Sequence, residues 1–328
     1  MIGTTKMVQA KANANFYSLY GSSSPENVTP QYKEYRRCWM EYPSRFVVRD
    51  FPIHLDIEAS SRCNLRCTFC DKLPILSRDQ IGDMDIRLYR KILDEAGEKG
   101  LCGLKLSYRG EPLLHPRIAE MVEYAKKRGI LDIYMNSNGM LLTEEMSNKL
   151  MDAALDRISI SVEGIDPVKF EQDRVGAKFD RILKNIEILM NLKAIRGSAI
   201  PKIRVQTVCL PHVDLDEYTD FWKSRCDEVA AVDYKDVVHR NEDITRSDWA
   251  CPQLWQRMTI EWDGTVMACN NDDFRRLFPG NVHNRDIYSC WHDPLVQKAR
   301  ELHMNGKSHL LEACRGCPWR TTQIEKDG

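Results

Sequence analysis

Residues 54–70 read HLDIEASSRCNLRCTFC, a short β-rich run followed at once by Cys63, Cys67 and Cys70. Three thiolates so close together, on the loop leaving a strand, suit three corners of a [4Fe–4S] cube. The fourth iron is then left for a non-protein ligand. The same spacing also suits three of the four ligands of a zinc ion.

Outward from this stretch, short apolar runs recur at 54–60, 103–108, 132–138, 157–162, 202–210 and 228–234. Helical periodicity fills the gaps between them. Residues 86–100, 118–129 and 179–197 each end at a glycine, the usual helix stop. Thr143 before Glu144 and Glu145 marks another helix start, with acidic groups set against the dipole. Such β-α repeats imply an α/β fold with a parallel sheet, either open and doubly wound or curled into a barrel. In both arrangements ligands bind at the C-terminal strand ends, where the three cysteines fall. Residues 1–50 read as a polar, irregular extension, 51–246 as the α/β domain and 247–328 as a small second domain. Within the last, MTIEWDGTVMAC (258–269) predicts a hairpin turning at Asp263-Gly264.

The formal net charge is −1, from 47 basic and 48 acidic residues. That balance gives no broad basic footprint for nucleic acid or an anionic membrane. No apolar run approaches the roughly 20 residues of a membrane span. The N-terminus also lacks a signal-peptide core. The expectation is a cytoplasmic protein with no nucleic-acid or membrane partner. Twelve cysteines in such a chain point to metal rather than disulfides, because a core of this size has no need of staples.

The pattern Cys63-x3-Cys67-x-Phe69-Cys70 after the first strand resembles the signature of the radical S-adenosylmethionine (SAM) superfamily. Over about residues 51–236, the resemblance implies a partial (β/α)6 barrel. It also implies SAM as cofactor, chelating the open iron and yielding a 5′-deoxyadenosyl radical on one-electron cleavage. Gly110-Glu111-Pro112 follows the second strand as the superfamily's GEP motif does, with Glu111 implied to meet the SAM amino group. The glycine usual before that motif is Arg109 here. Asn138, in Asn136-Ser137-Asn138-Gly139, is similar to a segment near the cosubstrate, and Ser161 and Arg174 to residues on the SAM carboxylate.

Cys251, Cys269, Cys314 and Cys317 form a second set, able to saturate a zinc ion or a second [4Fe–4S] cluster. Their setting resembles the SPASM/twitch auxiliary-cluster domain in its shorter, one-cluster form, similar to radical SAM aminocyclitol and sugar dehydrogenases and epimerases. Four protein ligands leave no open iron, which suits electron transfer. Cys290 reads either as a buried apolar residue or as a thiol that donates hydrogen to a substrate radical.

The resemblance implies a small polar substrate, sugar or aminocyclitol-like, and two-electron oxidation of a secondary alcohol with the auxiliary cluster as acceptor. A flavodoxin- or ferredoxin-type reductant is implied as partner. Epimerisation and side-chain maturation of a peptide or protein are the alternatives. Alcohol oxidation needs a base, for which Lys235, His239 and Arg240 are candidates. A zinc-ribbon interaction protein is the non-enzymatic alternative, and it gives no reason for a GEP triplet after strand two.

Overall fold

A computed structural model describes residues 8–9, 16–25, 28–72, 80–234, 250–317 and 319. Its strands are β1 (Val8–Gln9), β2 (Phe16–Gly21), β3 (His54–Ile57), β4 (Arg66–Cys67), β5 (Gly103–Lys105), β6 (Asp132–Ser137), β7 (Arg157–Ser161), β8 (Arg174–Val175), β9 (Lys202–Val208), β10 (Glu228–Val232), β11 (Arg257–Ile260), β12 (Thr265–Met267) and β13 (Gly280–Asn281). Eleven of them form one sheet in the order β1-β2-β10-β9-β7-β6-β5-β3-β11-β12-β13, and β4 pairs with β8 apart from it.

Six strands, β3, β5, β6, β7, β9 and β10, lie side by side in chain order and are parallel throughout. This order decides between the two sheets that periodicity leaves open. A doubly wound sheet reverses its strand order at a switch point. Here the order never reverses, so right-handed crossovers all fall on one face and the sheet curls. All six runs marked in the sequence become these strands.

Residues on alternate faces of the strands divide by chemistry. Leu55, Ile57, Leu104, Ile133, Ile158, Ile160, Ile203 and Val205 are wholly buried on the outer face. Each contributes about 1.5–3 kcal/mol by leaving water. Apart from α1 (Pro30–Ser44), whose buried residues form a separate cluster, the helices they pack against include α2 (Ile86–Glu98), α3 (Ile118–Lys127), α4 (Glu144–Asp152), α5 (Pro167–Asp173), α6 (Phe179–Arg196) and α7 (Leu215–Trp222). Thr143 caps α4, its hydroxyl accepting from the Met146 N–H at 3.3 Å. Gly197, past the end of α6, has φ of 58°, which a glycine adopts without strain.

Two regions differ from the sequence reading. The extension before residue 51 is not wholly irregular: β2 pairs antiparallel with β10, and α1 is a full helix. Its Thr29 cap and the aromatic residues Tyr32, Tyr35 and Trp39, spaced at helical intervals, are the signals for that helix. This helix meets the N-terminal strand ends. Trp39 packs edge-on to His54 with centroids 5.4 Å apart, and Gly103 leaves room for His54 and the Tyr35 hydroxyl. The barrel therefore has a floor.

The second difference is continuity of the sheet. The hairpin β11–β12 forms where Asp263-Gly264 predicts it, with Gly264 at φ 83°. Yet β11 also pairs in parallel with β3, so the C-terminal region extends the barrel's own sheet. Among the described residues this region also holds α8 (Gln253–Gln256), α9 (Ile287–Trp291), α10 (Pro294–Met304) and α11 (Glu312–Arg315).

Candidate active site and auxiliary centre

The loop after β3 carries the first three thiols, and two backbone contacts shape it. Cys67 lies on β4 opposite Arg174 on β8, and the Thr68 N–H donates to Asp173 O at 2.8 Å. All three thiols are half-buried. Burial pushes Cys67 up to about 11, and Cys70, Glu163 and Cys63 push the same way while Arg174 opposes them. Cys63 is raised by burial too, with Glu111 and Cys70 adding to it. Thiols that oppose one another's ionisation need a cationic centre to become thiolates together. That donor chemistry fits an iron–sulfur cluster.

The residues expected around SAM gather beside this loop. Gly110 is required by space: a Cβ there would lie 2.4 Å from Ser60 O and 2.5 Å from Arg62 O. The Glu111 N–H donates to Arg62 O at 2.7 Å, tying the motif to the residue before Cys63. The Glu111 carboxylate accepts from the Leu113 N–H (3.1 Å), the Ser137 hydroxyl (2.8 Å) and the Asn138 N–H (2.7 Å). It is thus a strut between two strand ends, buried enough that its pKa is raised despite those bonds. Pro112 opens the short 3-10 turn that follows. Asn138 donates from Nδ2 to Asn64 Oδ1 at 2.8 Å, again reaching the cysteine loop. Arg174 forks onto Glu163, with Nη2 to Oε1 at 2.8 Å, and points Nη1 at Cys67 Sγ, 3.7 Å away. Glu163 holds most of that fork, a partner not visible from spacing. Ser161 is half-buried at the end of β7.

Below these groups the inner face of the barrel is polar. In register across the strands run Asp56, Lys105, Tyr134 and Arg157, and one layer higher Asn136, Ser159, Arg204 and Glu228. Arg157 pairs with Asp132 (2.7 Å) and Arg204 with Glu228 (2.8 Å). Asp56 is shared by Lys105 at 3.5 Å and Arg257 at 3.3 Å. The Ser159 hydroxyl is buried with no partner, and Asn136 is exposed despite its central strand, so this face borders open space. Lys235, His239 and Arg240 lie outside the described residues.

The second thiol set is built differently. Cys251, Cys269, Cys314 and Cys317 line one small cavity with His303, Leu277 and Trp319. Burial raises Cys251 well above a normal thiol, and Cys269, Cys314 and Cys317 raise it further. Cys269 is pushed up to about 12, by burial first and Cys317 next. Thiols gathered in one cavity that oppose one another's ionisation fit a cationic centre, and four of them suit a [4Fe–4S] cluster with a thiolate on each iron. Cys290 is not part of it: the thiol is wholly buried on α9, 4.0 Å from Pro279 O, in the apolar core. A donor to a substrate radical must face the substrate, and this thiol faces packing.

Charge-paired residues unseen in the sequence knit the two cysteine regions together. Lys72, two residues past Cys70, pairs with Asp273 at 2.5 Å, both buried. Arg109 clasps Glu58 at 2.8 and 2.7 Å and reaches Glu261 at 3.2 Å. The residue that departs from the GEP pattern is thus the clasp between β3, the motif and β11. Asn270, next to Cys269, donates to Asp56 at 3.0 Å.

Comparison with known proteins agrees with this architecture. Residues 57–221 match the profile of the radical SAM superfamily. The chain belongs to that superfamily. Residues 251–318 match the SPASM iron–sulfur cluster-binding domain. As a radical SAM protein with a SPASM domain, the chain takes SAM and iron–sulfur clusters as cofactors. A probable GTP 3′,8-cyclase of Methanococcus maripaludis is 34% identical over 138 residues, 40% of this chain and 43% of that protein. A tungsten-containing aldehyde ferredoxin oxidoreductase cofactor-modifying protein of Pyrococcus furiosus is 43% identical over 113 residues, 34% of this chain and 30% of that one. The chain thus spans less than half the length of these curated relatives. BtrN in complex with AdoMet and 2-DOIA superposes with a TM-score of 0.54 at 18% identity, over 80% of this chain and 92% of BtrN. Native anSMEcpe with bound AdoMet gives 0.62 at 14%, over 83% and 95%. At these identities the likeness is one of fold. No helix among the described residues is long and apolar enough to cross a membrane.

Proposed function

We propose that this radical SAM enzyme oxidises a secondary alcohol of a small polar molecule held in the barrel lumen. One observation carries the reading: the loop of the auxiliary thiols borders the lumen wall, through Asn270 on Asp56. When bound, SAM with its cluster supplies a hydrogen-abstracting radical, and a fully ligated auxiliary cluster supplies an electron sink. Cys63, Cys67 and Cys70 would hold the first cluster, and Cys251, Cys269, Cys314 and Cys317 the second. Gly110 to Pro112, Asn138, Ser161 and Arg174 would frame the SAM site, with Glu111 and Arg174 acting mainly by fixing the loop. The unpartnered Ser159 hydroxyl and the Asn136 amide suit hydrogen bonds to substrate hydroxyls. The proton released on oxidation needs an acceptor in the same space. Lys105 Nζ suits it, since burial lowers its pKa against the pull of Asp56.

A specific observation also favours an anionic, nucleotide-like substrate. In that reading Lys105 stays protonated, and among the described residues it shares one carboxylate, Asp56, with Arg257, which leaves a cation over. The test is an anaerobic assay of reconstituted protein with reductant, SAM and a panel of cyclitols, sugars and GTP. Oxidation predicts a product two mass units lighter, with substrate-carbon deuterium recovered in 5′-deoxyadenosine. A product of unchanged mass that takes up solvent hydrogen would replace oxidation by epimerisation. Turnover of GTP alone would replace the alcohol by the nucleotide. Any reductant of the flavodoxin or ferredoxin type belongs to the same proposal, tested by replacing dithionite in the assay.

A further inference from the structure

His303 sits in the last turn of α10, 2% exposed, against the cavity of the four auxiliary thiols. It touches two of the four thiol-bearing residues. The Cys251 backbone N–H donates to its Nδ1 at 3.0 Å, and its Nε2 lies 3.4 Å from Cys314 Sγ. The first contact settles what the second is. With the Nδ1 lone pair taken by a backbone donor, a neutral imidazole carries its proton on Nε2. That N–H then points at the Cys314 sulfur. Arg315 and Glu312, the charged residues of the short α11 beside Cys314, are at least half-exposed or ion-paired at the surface, Glu312 with Arg276 at 2.8 Å.

We infer that His303 is a positioning residue for the auxiliary centre, donating an Nε2–H···S hydrogen bond to the Cys314 thiolate and thereby raising the reduction potential of the bound cluster. The physical reason is charge. Adding an electron increases negative charge on the thiolate sulfurs, and a fixed donor aimed at one of them stabilises the reduced form more than the oxidised. The Asn271 N–H, 3.3 Å from Cys269 Sγ, acts in the same sense from the backbone. His303 differs in being a side chain that a substitution removes. It also joins residues more than 50 positions apart, so it orients one ligand from the anchor of another. A raised potential makes the centre a better acceptor for an electron leaving substrate. The inference rests on the reading that the four thiols hold a cluster.

The experiment is an EPR-monitored redox titration of the reconstituted holoenzyme, both clusters loaded. His303→Leu removes the donor, and His303→Gln keeps an N–H within similar reach. The expected result is a lower auxiliary potential in His303→Leu, by a tenfold shift in the reduction equilibrium, which is about 59 mV for a one-electron couple. His303→Gln returns most of that shift. Equal potentials in all three proteins, or equal loss in both variants, would overturn the inference. The unaltered protein, labelled with ¹⁵N-histidine and reduced, supplies a check that needs no variant. A weak nitrogen coupling to the auxiliary signal is expected. An absent coupling overturns the hydrogen bond, and the strong coupling of a bound nitrogen makes His303 a ligand instead. Iron content separates the two layers. About eight irons per chain without nitrogen coupling sinks only the role of His303, whereas about four with no auxiliary signal removes the second cluster with it.

Discussion

The two cysteine regions solve one chemical problem in opposite ways. Cys63, Cys67 and Cys70 lie within a single loop, half-buried, and their neighbours are struts from the strand ends, Glu111, Asn138 and Arg174. Cys251, Cys269, Cys314 and Cys317 come from three segments and meet in one cavity, Cys251 buried and the other three half-buried. Three thiols on one locally closed loop can leave one iron open to a small ligand. Four thiols assembled from distant segments close every position and depend on the surrounding fold. The first arrangement suits chemistry at the metal, the second electron transfer.

The widest separation between the regions is expected in activity. Cys67→Ala should abolish 5′-deoxyadenosine formation and halve the iron. Cys251→Ala should also halve the iron yet retain SAM cleavage, with oxidised product lost. Loss of cleavage in both variants would erase the functional contrast. Next in size is the clasp between the regions. Arg109→Leu strands Glu58 in a buried site, while Glu261 keeps Arg275 at 2.5 Å, and removing one partner of such a group costs about 3–5 kcal/mol. Denaturant unfolding checks this, and a cost below about 1 kcal/mol would mean the regions are not coupled through Arg109.

A smaller effect tests the loop itself. Gly110→Ala drives a methyl into two backbone carbonyls, which have no rotamer by which to yield. Overpacking of this kind costs about 1–3 kcal/mol, and the displaced loop should weaken SAM binding measured by calorimetry. The smallest expected change is in metal dependence of folding. Removing clusters by chelation should lower the melting temperature more in the Cys67→Ala background, which retains only the auxiliary centre, than in Cys251→Ala. A pocket built from distant segments gains more stability from being bridged than a local loop does.

How much of this was legible follows from the same contrast. The strands, the hairpin at Asp263-Gly264 and the cysteine loop depend on local pattern, and spacing reveals them. Strand order is not local, so barrel and open sheet stayed indistinguishable until chain-order pairing was seen. Arg109 looked like a small departure from a motif because its partners Glu58 and Glu261 lie 51 residues before it and far beyond it. His303 carried no signal at all: a lone histidine in a helix has no spacing to read. Arg174 resembles a residue on the SAM carboxylate, and only Glu163, 11 residues earlier, shows its fork engaged. For α1 the cap Thr29 and the aromatic stripe were present and outweighed by the polar run before them.

The continuous sheet has a consequence for how one chain meets another. A six-stranded barrel that does not close would expose two full edges, β3 and β10, each a template for another chain. Here β11 covers one and β2 the other, and the sheet ends instead at β1 and β13, strands of two residues each. Edges that short offer almost nothing to pair with. The segments flanking the barrel are therefore its protection against fibrous self-assembly, and a fragment trimmed to residues 54–232 would lose that shelter on both sides.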